Sequence, residues 1–542
     1  MGWEKMTKMD LPEESQEIVR ENIQLMRDLS PQKPGMDVII VVTGDQEQEK
    51  YWEKRLQESI SSVGKKSALV ITTSEDWPVG AGNGLGTLYA YQRAEEKAHK
   101  IHGVDLRELQ REGAAIGMYH TAGKGTRLAP LSGSECNNKS SVKLPEVIDI
   151  NGHASPITIL EAVIRQTGIY ADCRKGRLSV FWGDQIFIPS VKATYSPLHH
   201  VDILMRNLPP LSKEEWQKRG LEKYGLIIAD EAYDAMQVEK VDYETYKSLR
   251  ASESTGHTGM SLGSFSLSFA ITEALLEEFS SELNRKEGFF NSDQGFWMPL
   301  TLTYEIYAEV LQKKDAENDR LRKHFDRMQI FKRKFLSEYP EKKLFGAVEL
   351  GEDSYVWDYG QLKRYYENIL SLTGSNPESQ AMRSFYGFPD SPKNSLESLV
   401  ECDQKSLVVN SCIKNGKIHN SILIGVEAED IDVSNAVIIN TSAKQIEGTN
   451  CLVYNVLENG HLSLIEGTAR ADAFISEAPK HLTFTKNMNQ SSDKEWDENL
   501  EGNPLSFAEL YESNKRTGLS EAIRIFQEEK AKLGQVLKLG KV

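Results

Sequence analysis

Cysteine is scarce in this chain. The five present, Cys136, Cys173, Cys402, Cys412 and Cys451 among 542 residues, are far apart, odd in number and never form CxxC. That pattern excludes a disulfide scaffold and a zinc ribbon, and it fits a reducing compartment. Long apolar runs are missing too: none comes near 18 residues, so no segment reads as a membrane span. The opening stretch, MGWEKMTKMDLPEES, is too charged for a secretory signal, and its Met-Gly start lacks the Ser or Thr that myristoylation requires. The expectation is a cytoplasmic protein with no membrane partner. Basic residues are outnumbered, 64 Lys and Arg against 80 Asp and Glu, for a net charge of −16. This argues against a nucleic-acid partner, which needs clustered Lys and Arg. A phosphate pocket in such a chain must be locally basic or lined by backbone amides.

What is present reads as an ordinary soluble composition, 39% hydrophobic and 27% charged, long enough for three or four domains without staples. Residues 12–30 form an amphipathic helical pattern. Short β-branched runs follow at 37–43, 67–72 and 114–119, with helical stretches at 45–62 and 87–94 between them. Strands alternating with helices over the first 370 residues predict an α/β domain with a largely parallel sheet. After about residue 375 the texture changes. The pieces LVVNSCI, IHNSILIGV, IDVSNAVIIN and IEGTNCLVYNV repeat Asn-Ser or Ser-Asn beside Ile and Val, without helical periodicity. An irregular parallel β-helix reads this way, one aliphatic set per coil and small polar turns; an antiparallel sandwich is the alternative. Residues 505–537 are helical again. The expected organisation is an N-terminal α/β region (1–112), a second α/β domain (113–375), the β-helix (376–485) and a helical end (486–542).

The segment richest in chemistry is Tyr119-His-Thr-Ala-Gly-Lys-Gly-Thr-Arg-Leu-Ala-Pro-Leu-Ser132, followed by Asn138-Lys-Ser-Ser-Val-Lys-Leu-Pro145. A strand ends in a Gly-x-Gly turn whose amides can cradle an anion, and Arg127, Lys139 and Lys143 follow within twenty residues. A Walker A reading fails, because Gly125 stands where Ser or Thr should follow Lys124. A second glycine-rich stretch, Gly80 to Gly86, reads as a loop that either contacts nucleotide or merely turns the chain.

Gly-Lys-Gly-Thr-Arg-Leu-Ala-Pro-Leu resembles the signature loop of the sugar-1-phosphate nucleotidyltransferases, and four further matches fall in that family's order. Leu178-Ser-Val-Phe-Trp-Gly-Asp-Gln185 is similar to its strand ending in Gly-Asp. Tyr224-Gly-Leu-Ile-Ile with Val238-Glu-Lys240 resembles its YG…EK hairpin, and Met260-Ser-Leu-Gly-Ser-Phe-Ser-Leu its next sugar-lining strand. Val356-Trp-Asp-Tyr-Gly360 resembles the WxDxG segment that closes the catalytic domain. Together they span roughly residues 113–370. The resemblance departs at Ala122, in place of a glycine, and at Ser132, in place of the usual Thr. A narrower likeness joins Val41-Val-Thr-Gly, Glu49-Lys-Tyr-Trp and Gly82-Asn-Gly-Leu-Gly-Thr-Leu88 to the fucose-1-phosphate guanylyltransferase and fucokinase group.

The resemblance implies a Rossmann-like (GT-A type) core carrying the β-helix and terminal helices. It implies an enzyme that joins an NTP to a sugar 1-phosphate and releases pyrophosphate. UTP with a glucose-like sugar is the commonest such pair; GTP with fucose 1-phosphate and an inactive sugar-nucleotide sensor are the alternatives. The implied nucleotide contacts are Ala122, Gly123, Lys124, Gly125, Thr126 and Gly84. The implied catalytic cations are Arg127 with Lys143 or Lys139. Gly225, Glu239, Lys240 and Gly263 line the sugar, and Asp184 with Asp293 hold Mg²⁺. Asp293 is chosen because it follows the sugar strand and precedes a helix at 299–311, a position an ordinary N-cap aspartate also occupies. His120 reads as a buttress of the loop. His419 and His461 read as solvent-facing residues rather than β-helix acyltransferase histidines. The oligomeric state is left open by the sequence; the exposed β-helix faces are where a homo-oligomer would form.

Overall fold

The computed structural model describes residues 12–30, 33–78, 80–252, 256–312, 318–389, 396–490 and 495–537. Residues 1–11, most of the stretch expected to be too charged for a secretory signal, lie outside them. The chain opens with helix α1 (Glu13–Arg27), then β1 (Val38–Thr43), α2 (Gln46–Val63), β2 (Leu69–Ser74), α3 (Gly82–Lys97) and β3 (Ile116–His120). A hairpin follows, β4 (Lys143–Ile150) with β5 (His153–Thr158). Next come β6 (Arg177–Trp182), β7 (Gln185–Ile188), β8 (His199–Asn207), β9 (Gly225–Asp230), β10 (Ala235–Glu239) and β11 (Gly256–Ser268). β12 (Lys343–Glu349) and β13 (Tyr355–Asp358) complete this half.

Nine of these strands form one sheet, in the order β10-β9-β11-β6-β3-β1-β2, with β8 and β12 branching from β11. The segment β6-β3-β1-β2 is parallel, and β11 joins it antiparallel to β6. β1 is buried along its whole length because successive residues feed two cores. Ile39 and Val41 pack with Trp52 and Leu56 of α2 on one face. Val38, Ile40 and Val42 pack with Leu85 and Leu88 of α3 on the other. The chain runs from β1 outward to β2, then returns across β1 to β3. This reversal places a crevice at the carboxyl ends of β1 and β3, where open α/β sheets bind ligands. The regions 1–112 and 113–375 therefore share one sheet, since β1 and β2 from the first extend β3 and β6 of the second.

The glycine-rich stretch at 80–86 is not a loop throughout: α3 begins at Gly82. The amides of Gly84 and Leu85 both donate to the Phe290 carbonyl, at 2.9 and 3.2 Å. A Cβ on Gly84 would stand 2.9 Å from that oxygen, so glycine here lets the first helical turn lie directly on the 290–292 backbone.

Beyond residue 396 short strands alternate between two parallel sheets. One sheet stacks β14 (Val400–Cys402), β16 (Cys412–His419), β18 (Glu427–Ser434), β20 (Ser442–Thr449) and β22 (Leu457–Ser463). The other stacks β15 (Leu407–Val409), β17 (Ile422–Ile424), β19 (Val437–Ile439), β21 (Leu452–Tyr454) and β23 (Thr468–Phe474), closed by antiparallel β24 (His481–Asn487). Cys412 pairs Glu427, which pairs Ser442, which pairs Leu457, a repeat of 15 residues; the last coil is longer, with Leu452 pairing Ala469. The Asn-Ser repeats explain the corners. Asn410, Asn440 and Asn455 at one corner, and Asn420, Asn435 and Asn450 at the other, all adopt φ between 45° and 53°. Asparagine tolerates this left-handed conformation, and its amide bonds the next coil: Asn420 to Asn435 and Asn440 to Asn455, each 2.6 Å. Parallel pairing of coils replaces the antiparallel sandwich alternative.

Helices Phe507–Thr517 and Leu519–Leu537 end the described chain. Among the described residues no helix is long and apolar enough to cross a membrane.

Candidate functional site

β3 delivers the Gly-Lys-Gly-Thr-Arg segment to the crevice. Thr121 anchors its start, its amide and hydroxyl both donating to the Val42 carbonyl at 2.8 Å. Gly125 takes φ +70°, and a Cβ there would meet Ser132 at 2.9 Å and Lys139 at 3.0 Å. The turn therefore requires glycine. Ser132 donates its hydroxyl to the Gly125 carbonyl at 2.9 Å, so the departure from Thr keeps the bond that braces the loop. Gly123, Lys124 and Arg127 are exposed at the rim, Ala122 and Thr126 half-buried, and Leu128 is packed in the core. Lys124 Nζ lies 5.7 Å from the ring centroid of Tyr511, which the penultimate helix brings back to the loop.

Of the two candidate lysines, Lys139 faces this loop. Its Nζ is 2.8 Å from Asp184 Oδ2, and it would be 3.3 Å from a Cβ on Gly123. Lys143 is committed elsewhere: its ammonium bonds Glu135, which also accepts from Tyr454 at 2.6 Å and Asn455 at 2.8 Å. Lys143 thus ties the core to the stacked coils.

Asp184 ends the β6 strand at the same edge, where Gly183 donates its amide to the His120 carbonyl at 3.1 Å. Burial opposes its ionisation, but the Lys139 ammonium, its hydrogen bond and the Arg127 charge outweigh that and hold the carboxyl below its usual range. A second carboxylate faces it. β7 and β13 pair antiparallel with Gln185 opposite Asp358, and the Tyr359 amide donates to the Asp184 carbonyl at 2.9 Å. A Cβ on Gly360 would lie 3.0 Å from Asp184 Oδ2 and 3.2 Å from Asp358 Oδ1, so both carboxylates border one small gap. Burial, and then the neighbouring Asp184 charge, raise the Asp358 pKa. The WxDxG segment carried this aspartate in the sequence, but no role was read for it.

Asp293, the expected second metal ligand, is seen with a different partner. It sits in a helical turn, Ser292–Trp297, whose N-cap is Asn291, and its carboxylate takes a hydrogen bond from Gln237 on the edge strand β10. The helix expected at 299–311 is broken at Leu302 between Met298–Thr301 and Tyr304–Gln312. Gly84 likewise serves the contact of α3 with Phe290 rather than a phosphate cradle.

No known protein family and no curated protein matches this chain in sequence. The site must be judged on its own geometry.

The expected sugar residues do converge. Glu239 and Gly225 are directly paired across β10 and β9, and the Glu239 carboxylate occupies the space above Gly225, also bordered by Ser261. β11 bulges between Ser261 and Phe265, with Gly263 at φ +70°. A Cβ on Gly263 would clash with Trp182 Nε1 at 2.4 Å, so the bulge admits the indole that precedes Gly183 and Asp184. Lys240 follows at φ +58° and its amide donates to the Tyr224 carbonyl, which closes the hairpin end. A continuous rim therefore runs from Glu239 through Gly225 and Gly263 to Trp182 and Asp184.

His120 lies between the two glycine segments. Its Nε2 is 2.9 Å from Thr87 Oγ1 on α3, and its ring packs 5.4 Å from Trp182. Burial first, and then the Lys139 charge, push its pKa down to about 4, so it is neutral at physiological pH. His419 and His461 lie exposed on the coils, paired with Asp403 and Glu447.

The Asp184–Asp358 gap fits a divalent cation. Two carboxylates border it; burial first and the Asp184 charge second raise the Asp358 pKa, and a cation would offset the second of these. Among the described residues no three His, Cys, Asp or Glu side chains gather as a metal-binding group.

Proposed function

We propose that this protein is a sugar-1-phosphate nucleotidyltransferase, joining an NTP to a sugar 1-phosphate with release of pyrophosphate. The observation that carries the reading is the convergence, at one sheet edge, of the glycine loop, Lys139 and the Asp184–Asp358 pair, with the Glu239–Gly225–Gly263 rim beside them. It is supported on the fold side by the parallel strands and their reversal between β1 and β3, which we take as a GT-A type core. The 15-residue coils are taken as a parallel β-helix.

In this mechanism the triphosphate lies on the amides around Gly123 and Gly125, with Arg127 and Lys139 offsetting its charge. An oxygen of the sugar phosphate attacks the α-phosphorus. One P–O bond forms there while the bond to the β-phosphate oxygen breaks, and pyrophosphate leaves. No general base is needed, because a phosphate monoester with a second pKa of about 6 is already ionised near pH 7. That agrees with the neutral, half-buried His120. Asp184 and Asp358 would hold Mg²⁺, which supplies charge neutralisation on the reacting phosphates. Lys139, which donates to Asp184, would turn its remaining donors to a substrate phosphate. Glu239 selects the sugar through its hydroxyls.

UTP with a glucose-like sugar 1-phosphate is the first pair to test; GTP with fucose 1-phosphate is the second. A cytoplasmic enzyme that pairs through its coil faces and takes neither nucleic acid nor membrane as partner completes the proposal. The test is a pyrophosphate-release screen of several NTPs against a panel of sugar 1-phosphates, with and without Mg²⁺. One strong metal-dependent pair is the expected result. Nucleotide binding with no turnover on any pair overturns the enzyme reading in favour of the sensor.

A further inference from the structure

The segment that joins the glycine loop to Lys139 is held from the far end of the chain. At its start Ser132 braces Gly125, and at its end Lys139 reaches Asp184. Between them the backbone passes through two successive left-handed residues that are not glycine, Cys136 at φ +49° and Asn137 at φ +66°. Such a pair is opposed by its own side chains and persists only where the surroundings over-determine it. The turn closes on itself, the Cys136 amide donating to Gly133 at 3.1 Å and the Asn137 amide to Ser132 at 2.9 Å. Those bonds shape the turn without fixing it to the rest of the fold.

The fixing comes from helix Phe507–Thr517. Its Asn514 is 1% exposed. Asn514 Nδ2 donates to the Gly133 carbonyl at 2.8 Å and to Asn137 Oδ1 at 3.0 Å. The Gly133 carbonyl can only accept, which sets the orientation of this amide. Asn137 Nδ2 donates back to the Tyr511 carbonyl at 2.8 Å, and the Cys136 thiol donates to the Asn514 carbonyl at 3.4 Å. A Cβ on Gly133 would stand 2.6 Å from Leu510 Cδ2, so the helix lies directly on the turn. Both left-handed residues and Gly133 are therefore bonded to Asn514.

We infer that Asn514 is a positioning residue for the proposed transfer, holding the 133–137 turn so that Lys139 stands against Asp184 beside the glycine loop. The inference rests on the nucleotidyltransferase reading. Asn514 is buried behind the turn, so it acts through Lys139 and not on substrate. Lys139 follows Asn137 by two positions, and a shift of the turn is passed straight to it. A misplacement of about 1 Å in a charge-stabilising group is enough to cost up to roughly a hundredfold in rate.

The test is steady-state pyrophosphate release by the full chain on its active substrate pair, well below the melting midpoint of every variant. Asn514→Ala should lower kcat by about 10- to 100-fold. Asn435→Ala, which removes an amide at a coil corner away from the turn, should lower the melting midpoint and keep the wild-type kcat. The deciding measurement is a double-mutant cycle with Lys139→Met. Because Asn514 acts through that ammonium, Asn514→Ala should cost no more than about twofold once Lys139 is gone. Should Asn514→Ala fail to fold, Asn137→Gly carries the same test, since glycine accepts the left-handed φ and only the side-chain bonds to Asn514 and Tyr511 are lost. It should show the same loss and the same dependence on Lys139. Wild-type kcat in the variant that folds, or losses that multiply with that of Lys139→Met, would show that Asn514 serves stability alone; either overturns this inference and leaves the proposed function standing. A wild type that releases no pyrophosphate from any pair overturns both together.

Discussion

Lys139 and Asp184, 45 residues apart in sequence, meet at 2.8 Å beside the glycine loop. That contact separates two lysines which the sequence left equivalent. Replacing Lys139 by Met should lower kcat by about 10²–10³, the usual cost of removing one charge-stabilising donor, without unfolding the protein. Lys143→Met should do the reverse. It strips the cation from Glu135 at the contact with the stacked coils, so the melting midpoint should fall by a few degrees while kcat stays within about threefold. Steady-state rates and melting curves of the two variants decide it.

Asp358 gives a prediction of opposite sign in activity and stability. Its folded pKa is raised, so the folded state holds the proton more tightly than the unfolded one. Its contribution to stability is present at acid pH and is lost as pH rises through the folded pKa. Asp358→Asn should therefore melt no lower than the wild type at pH 7, while activity drops by about a hundredfold or more. Asp293→Asn, which weakens the Gln237 contact, should leave activity within roughly an order of magnitude. Equal losses from the two variants would return Asp293 to the metal site.

Lys33 makes its own pH signature. Its pKa falls from 10.5 to about 8 on folding, so between those values the unfolded chain binds more protons and stability rises with pH. The buried charge costs about 3 kcal/mol below that window. The stability gained by Lys33→Met over the wild type should therefore be large at pH 7 and shrink towards pH 10. Denaturant melts at both pH values measure it, and a gain independent of pH would contradict it.

The coil corners predict a third kind of effect. Asn435 stands at φ +50°, its amide oxygen accepts from Asn420, and its carbonyl accepts the Tyr366 hydroxyl at 2.7 Å. Asn435→Ala loses the ladder bond and strains the backbone, a cost of about 1–3 kcal/mol. Asn435→Gly loses only the bond and should fall between. If Gly is the worse of the two in chemical melts, the left-handed corner is not what selects asparagine.

Much of the site was legible in the chain. The strand-ending glycine turn and Asp184 at a strand's carboxyl end are local signals, whereas Gly225, Glu239 and Gly263 are read only from the resemblance. A turn needs φ above zero, an anion needs amides, and a strand end needs a small residue. The coil repeat was legible for the same reason, since its Asn corners recur every 15 residues. The glycine-rich stretch at 80–86 misled because helix and loop both tolerate glycine. Only the approach of Phe290, two hundred residues on, shows that the glycines admit a close contact.

What the sequence determined by itself, then, is the chemistry available at each strand end and the class of each half of the chain. What only the tertiary structure decided is partnership. Asp184 meets Asp358 because β7 and β13 pair, Lys139 rather than Lys143 faces them because Glu135 and Tyr454 claim Lys143, and among the described residues Lys33 Nζ has no hydrogen-bond partner because Asp28 turns to Ser30 and Glu146 to Arg27 and Arg165. These are contacts between residues far apart along the chain. Local spacing carries no information about which strand will lie beside which, and charge pairing depends on that arrangement.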